Sequence, residues 1–400
     1  MDIQQRFANE KNTYLSAIRE KANGRRIFIY GAGAYGRGIA TLLKKEGIHV
    51  DGFVVTQMTY NQEIIYKLPV RAFSELLTAE DNILVLVGAK EQFQADIVKM
   101  LRKSGMENYL LPPVHISEIM NDLLTRHAME ITPKAGCSIH CKYCPQDLFL
   151  QQYFSKNRQI EMTFEEFREY LGKMPQDTVI DFAGFVEPFL AKDGVKMVRY
   201  AHETGHEVRL FTTLVGLDLA SFQKIEDIPF SLVVLHLPDV HGYAHIPVTD
   251  EYLELLRYVV AKRRINGEPF VDTANCQAAP DPRVVEIIGH QIQISWDLIE
   301  RAGNLENAEL RHGGLGKEEN GNLCYCERSL PLSHNVLLPN GDVVLCCMDF
   351  GMRHILGNLK KQSYEEILQS EEMKRIRKAL RKRAQDTLCE KCIALKRFCD

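Results

Sequence analysis

The chain has 400 residues, 45% of them hydrophobic and 26% charged, the balance of a globular protein of two or three domains. A formal net charge of −4 gives no electrostatic attraction for nucleic acid or an anionic membrane, and no apolar run is long enough to span a bilayer. The opening MDIQQRFANEKN lacks the basic-then-apolar pattern of a signal peptide, so the 11 cysteines are expected as reduced thiols in the cytoplasm rather than as disulfides.

Up to about residue 120 the pattern is βαβ. An amphipathic helix with Phe7, Tyr14, Leu15 and Ile18 on its apolar face leads into a strand, Arg26–Tyr30. Then come Gly31-Ala-Gly33-Ala-Tyr-Gly36, a helix from Gly38 to Glu46 and a strand from Ile48 to Val55. A strand over Asn82–Gly88 and a helix over Glu91–Ser104 complete a pattern that predicts a parallel sheet. The G-x-G-x-x-G run falls between strand and helix, where backbone N–H groups can cradle a phosphate. Gly31, Gly33 and Gly36 are therefore candidate nucleotide-binding positions. A dinucleotide also wants an acidic residue about 20 positions further on. Val54, Val55 and Thr56 stand there and Asp51 comes too early, which argues against NAD. The block resembles the small Rossmann-type domains of bacterial surface-sugar and sugar-nucleotide enzymes. That resemblance implies a bound nucleotide or nucleotide-sugar; the alternative is a docking or structural domain whose glycines only make a tight turn.

From about 125 to 310 strand and helix alternate again. Ala128–Pro133, Val179–Ala183, Glu207–Phe211, Ser231–Leu237 and Pro269–Ala274 read as strands, and Phe164–Lys173, Val195–Thr204 and Asp250–Lys262 as helices. A partial (β/α) barrel with its site at the C-terminal strand ends is the natural arrangement. After the first strand comes Cys137-Ser-Ile-His-Cys141-Lys-Tyr-Cys144, a C-x3-C-x2-C run. Random placement of the cysteines gives this spacing about once in a hundred such chains. Three thiolates on one loop can hold three corners of a [4Fe–4S] cluster and leave one iron open for chemistry. The alternatives are a zinc knuckle with His140 as fourth ligand, or buried cysteines that happen to cluster.

This spacing, on the loop after the first barrel strand, resembles the signature of the radical S-adenosylmethionine (radical SAM) enzymes. The resemblance implies a (β/α)6 TIM-like barrel in which SAM chelates the open iron and is reductively cleaved to a 5′-deoxyadenosyl radical. It places Tyr143 near the adenine. Gly184-Phe-Val-Glu187-Pro188 resembles the segment that binds the SAM amino group, with Val186 in place of the second glycine, so Gly184 and Glu187 carry over. Thr212 and Thr213 end the third strand, where the family puts a polar residue near the SAM carboxylate or ribose. His236 ends the fourth, at a position often polar in the family; an ordinary satisfied histidine is the alternative. Cys276 is either a buried thiol acting as a small hydrophobe or a hydrogen donor to a substrate radical, as in radical SAM epimerases.

The block from about 311 to 400 holds Cys324, Cys326, Cys346, Cys347, Cys389, Cys392 and Cys399. Asn340-Gly341 between apolar runs predicts a hairpin that brings the flanking cysteines together. The order Cys326, then Gly341-x4-Cys346, then Cys389-x2-Cys392 resembles the SPASM/twitch extension of radical SAM proteins. In its shorter form it implies one fully ligated auxiliary [4Fe–4S] cluster on Cys326, Cys346, Cys389 and Cys392. Zinc on the same four thiolates is the alternative. Cys324, Cys347 and Cys399 are left over, and Cys324 or Cys399 could replace one of the four. Arg301-Ala-Gly-Asn-Leu305 resembles a stretch often found before such domains. The basic run Lys374–Arg383 spaces Met373, Ile376 and Leu380 as one buried helical stripe, which favours a solvated helix face over a nucleic-acid site.

The expectation is thus an α/β chain in three parts: a Rossmann-like domain over 1–120, a radical SAM barrel over 125–310 and a cysteine-rich SPASM/twitch domain over 311–400. The resemblance implies an enzyme that takes hydrogen from a substrate C–H bond, oxidising or epimerising a sugar or nucleotide-sugar. Its electrons would come from a reductase such as flavodoxin or ferredoxin, with no nucleic-acid or membrane partner. Modification of a ribosomal peptide is the alternative within the same chemistry. A non-catalytic iron–sulfur protein for electron transfer or redox sensing is the alternative outside it.

Overall fold

Contacts divide the chain into two units, Met1–Asp122 and Leu123–Asp400, in a computed structural model that describes residues 3–58, 63–79, 82–89, 91–120, 126–289, 292, 294–295, 301–305, 323–381 and 384–398. In the first unit the elements are α1 (Ile3–Ala22), β1 (Arg26–Tyr30), α2 (Ala34–Lys45), β2 (Gly52–Val55), β3 (Ile64–Ile65), β4 (Leu68–Ala72), α3 (Phe73–Ala79), β5 (Ile83–Val87), α4 (Glu91–Lys103), β6 (Tyr109–Leu110) and α5 (Ile116–Met120). They build one sheet in the order β3-β4-β2-β1-β5-β6, parallel except for the β3–β4 pair. Alternation along β1 sends Ile27 and Ile29 into one core with Tyr14, Ile18, Ile39 and Leu43. Phe28 and Tyr30 go to the opposite core with Phe73, Leu76 and Leu101. A sheet covered on both faces is why β1 and β5 read as continuous apolar runs. The parallel sheet matches expectation. The sequence did not announce β3, β4 or α3, whose runs are too short for a periodicity to emerge. Helix α2 starts at Ala34, directly after the second glycine rather than at Gly38.

The second unit holds β7 (Ala128–Ile131), α6 (Gln146–Lys156), α7 (Phe164–Leu171), β8 (Val179–Phe182), α8 (Gly194–Glu203), β9 (Val208–Thr212), α9 (Leu219–Phe222), β10 (Leu232–His236), α10 (Asp250–Ala261), β11 (Thr273–Asn275), α11 (Pro282–Ile288), β12 (Ile294–Ser295), β13 (Leu323–Cys326), β14 (His334–Leu337), β15 (Asp342–Val344), β16 (Ile355–Asn358), α12 (Tyr364–Ile367), α13 (Glu371–Leu380) and β17 (Leu395–Phe398). Strands β7 to β12 lie side by side in chain order and are parallel. This is the expected partial (β/α) barrel wall. Ile180 and Phe182 face the helix layer with Phe167 and Met197, so the intervening Asp181 points to the other face.

The cysteine-rich segment continues that wall. Strand β14 adds to β7 in parallel, with Val336 opposite Glu130. The predicted hairpin then forms: β14 and β15 pair antiparallel, and the turn closes with Gly341 N–H on Leu338 O at 3.0 Å and Leu338 N–H on Asp342 O at 2.8 Å. Strands β13 and β17 make a separate antiparallel pair. Helix α13 buries Met373, Ile376 and Leu380 as one stripe. Among the described residues no helix is long and apolar enough to cross a membrane.

Candidate functional site

The C-terminal ends of β7 to β11 open onto a cleft of about 310 Å3. Cys137, Cys141 and Cys144 stand on its wall with Tyr143, Gly184, Glu187, Thr213 and His236. The loop that carries them is pinned from the side: Lys142 N–H donates to Tyr243 O at 2.7 Å and His245 N–H to Ile139 O at 3.2 Å. Burial pushes the thiols up, Cys141 to about 12 and Cys144 to about 11, and Cys137 in the same direction. They keep their protons until a bound cation displaces them. His140 is exposed on left-handed backbone, φ 46°.

Gly184 turns the chain after β8 with φ +80°, and a Cβ there would lie 2.3 Å from Thr132 Oγ1. That hydroxyl accepts the Phe185 N–H at 3.1 Å. Three residues on, the buried Glu187 carboxylate is fixed by the end of β9. It accepts from Thr212 Oγ1 at 2.8 Å, Thr213 N–H at 2.6 Å and Thr213 Oγ1 at 2.8 Å. Burial raises its pKa to about 7 against those hydrogen bonds. His236 is held neutral, its pKa lowered to about 4 by burial and then by Arg301.

Cys276 is not among the residues that line the cleft. It is 1% exposed, with its thiol directed at Leu237 O and Pro238 O at 3.7 and 3.8 Å. In the first unit Gly31 and Gly36 are used by backbone packing: a Cβ on Gly36 would meet Gly31 O at 1.8 Å, and one on Gly88 would meet Gly36 Cα at 2.7 Å. Gly33 is the N-cap of α2 and offers no side-chain cap. Asp51 sits before β2, where its carboxylate accepts from Arg26 Nε at 2.8 Å and Ile27 N–H at 2.9 Å; it closes the opposite end of the sheet from the glycines.

Cys326, Cys346, Cys389 and Cys392 line one further cavity, whose remaining wall is mostly apolar: Leu332, Leu345, Met348, Leu388 and Ala394. Residues more than 60 positions apart converge there because the β14–β15 hairpin delivers Cys346 and a single 3-10 turn, Leu388–Lys391, delivers the Cys-x2-Cys pair. His354 holds that turn. Its Nε2 accepts the Leu388 N–H at 2.9 Å, so Nδ1 carries the proton and donates to Glu372 at 2.7 Å. An all-sulfur donor set suits an iron–sulfur cluster or zinc. Among the described residues no group of three or more His, Cys, Asp or Glu side chains is gathered to hold a single metal ion.

Residues 323–393 match the SPASM family, an iron–sulfur cluster-binding domain. This favours iron–sulfur over zinc for the four cysteines. No curated protein matches the chain. Among solved structures, BtrN in complex with AdoMet and 2-DOIA is 17% identical, covering 67% of this chain and 92% of that one, with a TM-score of 0.46. SuiB of Streptococcus suis bound to precursor peptide SuiA is 13% identical over 76% of this chain and 82% of that one, at 0.45. anSMEcpe with bound AdoMet is 16% identical over 66% and 86%, at 0.39. Likeness at this level transfers neither substrate nor reaction.

The floor of the cleft carries residues that motif reading passed over. Glu130 of β7 and Asp181 of β8 project from the barrel wall, and His334, Arg328 and Cys347 of the cysteine-rich segment meet them there. His334 Nε2 lies 3.2 Å from Glu130 and 3.1 Å from Asp181, and Arg209 binds Asp181 through both guanidinium and carboxylate edges. Burial works against the Glu130 carboxylate, but His334 and Arg328 hold its pKa down at about 2. The same carboxylates raise His334 against its burial. A charged residue inside each of two otherwise apolar strands, Ala128-Met-Glu-Ile and Val179-Ile-Asp-Phe, was the available signal. Cys324 is buried on β13, and Cys399 lies outside the described residues.

Proposed function

We propose that the protein is a radical SAM enzyme that takes a hydrogen atom from a C–H bond of a sugar or nucleotide-sugar. The observation that carries this reading is one cleft bordered by the three-cysteine loop, with the Glu187–Thr213 pair beside it and the four-cysteine cavity behind its floor. Cys137, Cys141 and Cys144 would hold three irons of a cluster, and Cys326, Cys346, Cys389 and Cys392 would close a second one. A cluster and SAM held there would supply hydrogen-abstracting radical chemistry by reductive cleavage of SAM. Glu187, held by Thr212 and Thr213, would present a fixed carboxylate to the SAM amino group, and Tyr143 would lie toward the adenine. Glu130, Asp181, His334 and Asn275 offer hydrogen-bonding groups suited to hydroxyls. A Rossmann-like first unit supports a nucleotide-linked substrate.

Anaerobically reconstituted protein, given SAM and dithionite, is expected to release 5′-deoxyadenosine and to carry about eight irons per chain. Absence of 5′-deoxyadenosine with two intact clusters would favour a redox protein. About four irons together with zinc would remove the second cluster.

A further inference from the structure

Arg328 is placed between the two sets of cysteines. It lines the four-cysteine cavity and the cleft alike, with a third of its side chain open. Apart from His334, every other residue lining the four-cysteine cavity is a cysteine or uncharged. On the cleft side it donates from one terminal nitrogen to Cys347 Sγ at 2.8 Å, and the other lies 3.5 Å from Glu130 Oε1.

We propose that Arg328 is the residue that sets the reduction potential of the auxiliary cluster, and that Glu130 on the cleft floor moderates it. The proposal rests on the auxiliary-cluster reading above. A cluster held by four thiolates is anionic, and reduction adds a further negative charge inside an apolar cavity. A cation at its edge stabilises the reduced form, because Coulomb energy is weakly screened there. Glu130 beside that cation withdraws part of the effect. Arg328 is thus a positioning residue that raises the potential, and it transmits to the cluster any charge that enters the cleft beside Glu130. Two side chains from separate segments, one on β7 and one following β13, oppose each other at a single metal site.

Opposite shifts are the test. A chain carrying Cys137→Ala, Cys141→Ala and Cys144→Ala isolates the auxiliary cluster, and its midpoint is read by redox titration with electron paramagnetic resonance. Arg328→Gln is expected to lower the redox equilibrium constant at least about tenfold, about 59 mV for one electron. Glu130→Gln is expected to raise it, and Arg328→Lys to stay near the parent. Equal potentials in parent and Arg328→Gln, or shifts of the same sign in the Arg328→Gln and Glu130→Gln chains, overturn the proposal. Should Arg328→Gln fail to retain iron, the sign of the Glu130→Gln shift decides. A triple-alanine chain that binds no iron would sink the auxiliary-cluster reading and the proposal together, a result distinct from an unchanged potential.

Discussion

Gly184→Ala tests whether the turn after β8 is built as closely as its geometry states. Three costs add. An L-residue at φ +80° gives up about 1–2 kcal/mol against glycine. The new methyl would stand 2.3 Å from Thr132 Oγ1, and displacing neighbours in a packed site costs about 1–3 kcal/mol. Moving Thr132 loosens its bond to the Phe185 N–H, about 1 kcal/mol more. The total is about 4 kcal/mol. Urea unfolding of the metal-free chain, followed by far-UV circular dichroism and by the fluorescence of its one tryptophan, Trp296, measures it. Adding Thr132→Ala removes the clashing oxygen, so the penalty for alanine at 184 should fall by about 1–2 kcal/mol in that background, within the usual range for contacting residues. A Gly184→Ala penalty under about 1 kcal/mol, or strict additivity with Thr132→Ala, would refute the argument.

Cys346→Ala should lower iron from about eight to about four per chain while SAM cleavage persists, read by iron assay and chromatography of 5′-deoxyadenosine. His354→Ala removes the acceptor of the Leu388 N–H and should speed loss of the auxiliary iron to a chelator, with His354→Asn intermediate because its amide oxygen can accept the same proton. The Glu130–His334 pair should make stability depend on pH on both sides. Glu130 has a lowered folded pKa, so its contribution is present above the ordinary 4.5 and is lost as pH falls toward about 2. His334 has a raised one, so its contribution is present below the ordinary 6.5 and is lost as pH rises through the raised value. Urea midpoints of the metal-free chain should plateau between those limits, and Glu130→Gln should flatten the acid limb.

The cleft was half legible. Cys137, Cys141 and Cys144 are close in sequence, so their spacing alone brings three thiols to one wall. Glu187 and Thr213 were named only through resemblance, each toward SAM, and their direct hydrogen bonds across 26 positions came from the fold. The charged floor escaped the motif reading because Glu130 and His334 meet through the parallel pairing of β7 with β14. No local pattern encodes that pairing. Cys276, a buried thiol or hydrogen donor on the sequence alone, has its thiol directed at backbone carbonyls, an orientation that the strand register and the following loop decide.

The sequence by itself determined the longer strands and helices, since apolar periodicity sets them, while runs as short as β3, β4 and α3 carry too few residues for a period to show. It also brought Cys137, Cys141 and Cys144, and separately Cys389 and Cys392, close together, since C-x3-C-x2-C and C-x2-C are local spacings. Tertiary structure alone decided which charges face one another. Arg328 comes to line both the cleft and the four-cysteine cavity because a long chain excursion returns to the edge of the barrel sheet, and electrostatic energy depends on distances through space that sequence separation does not record.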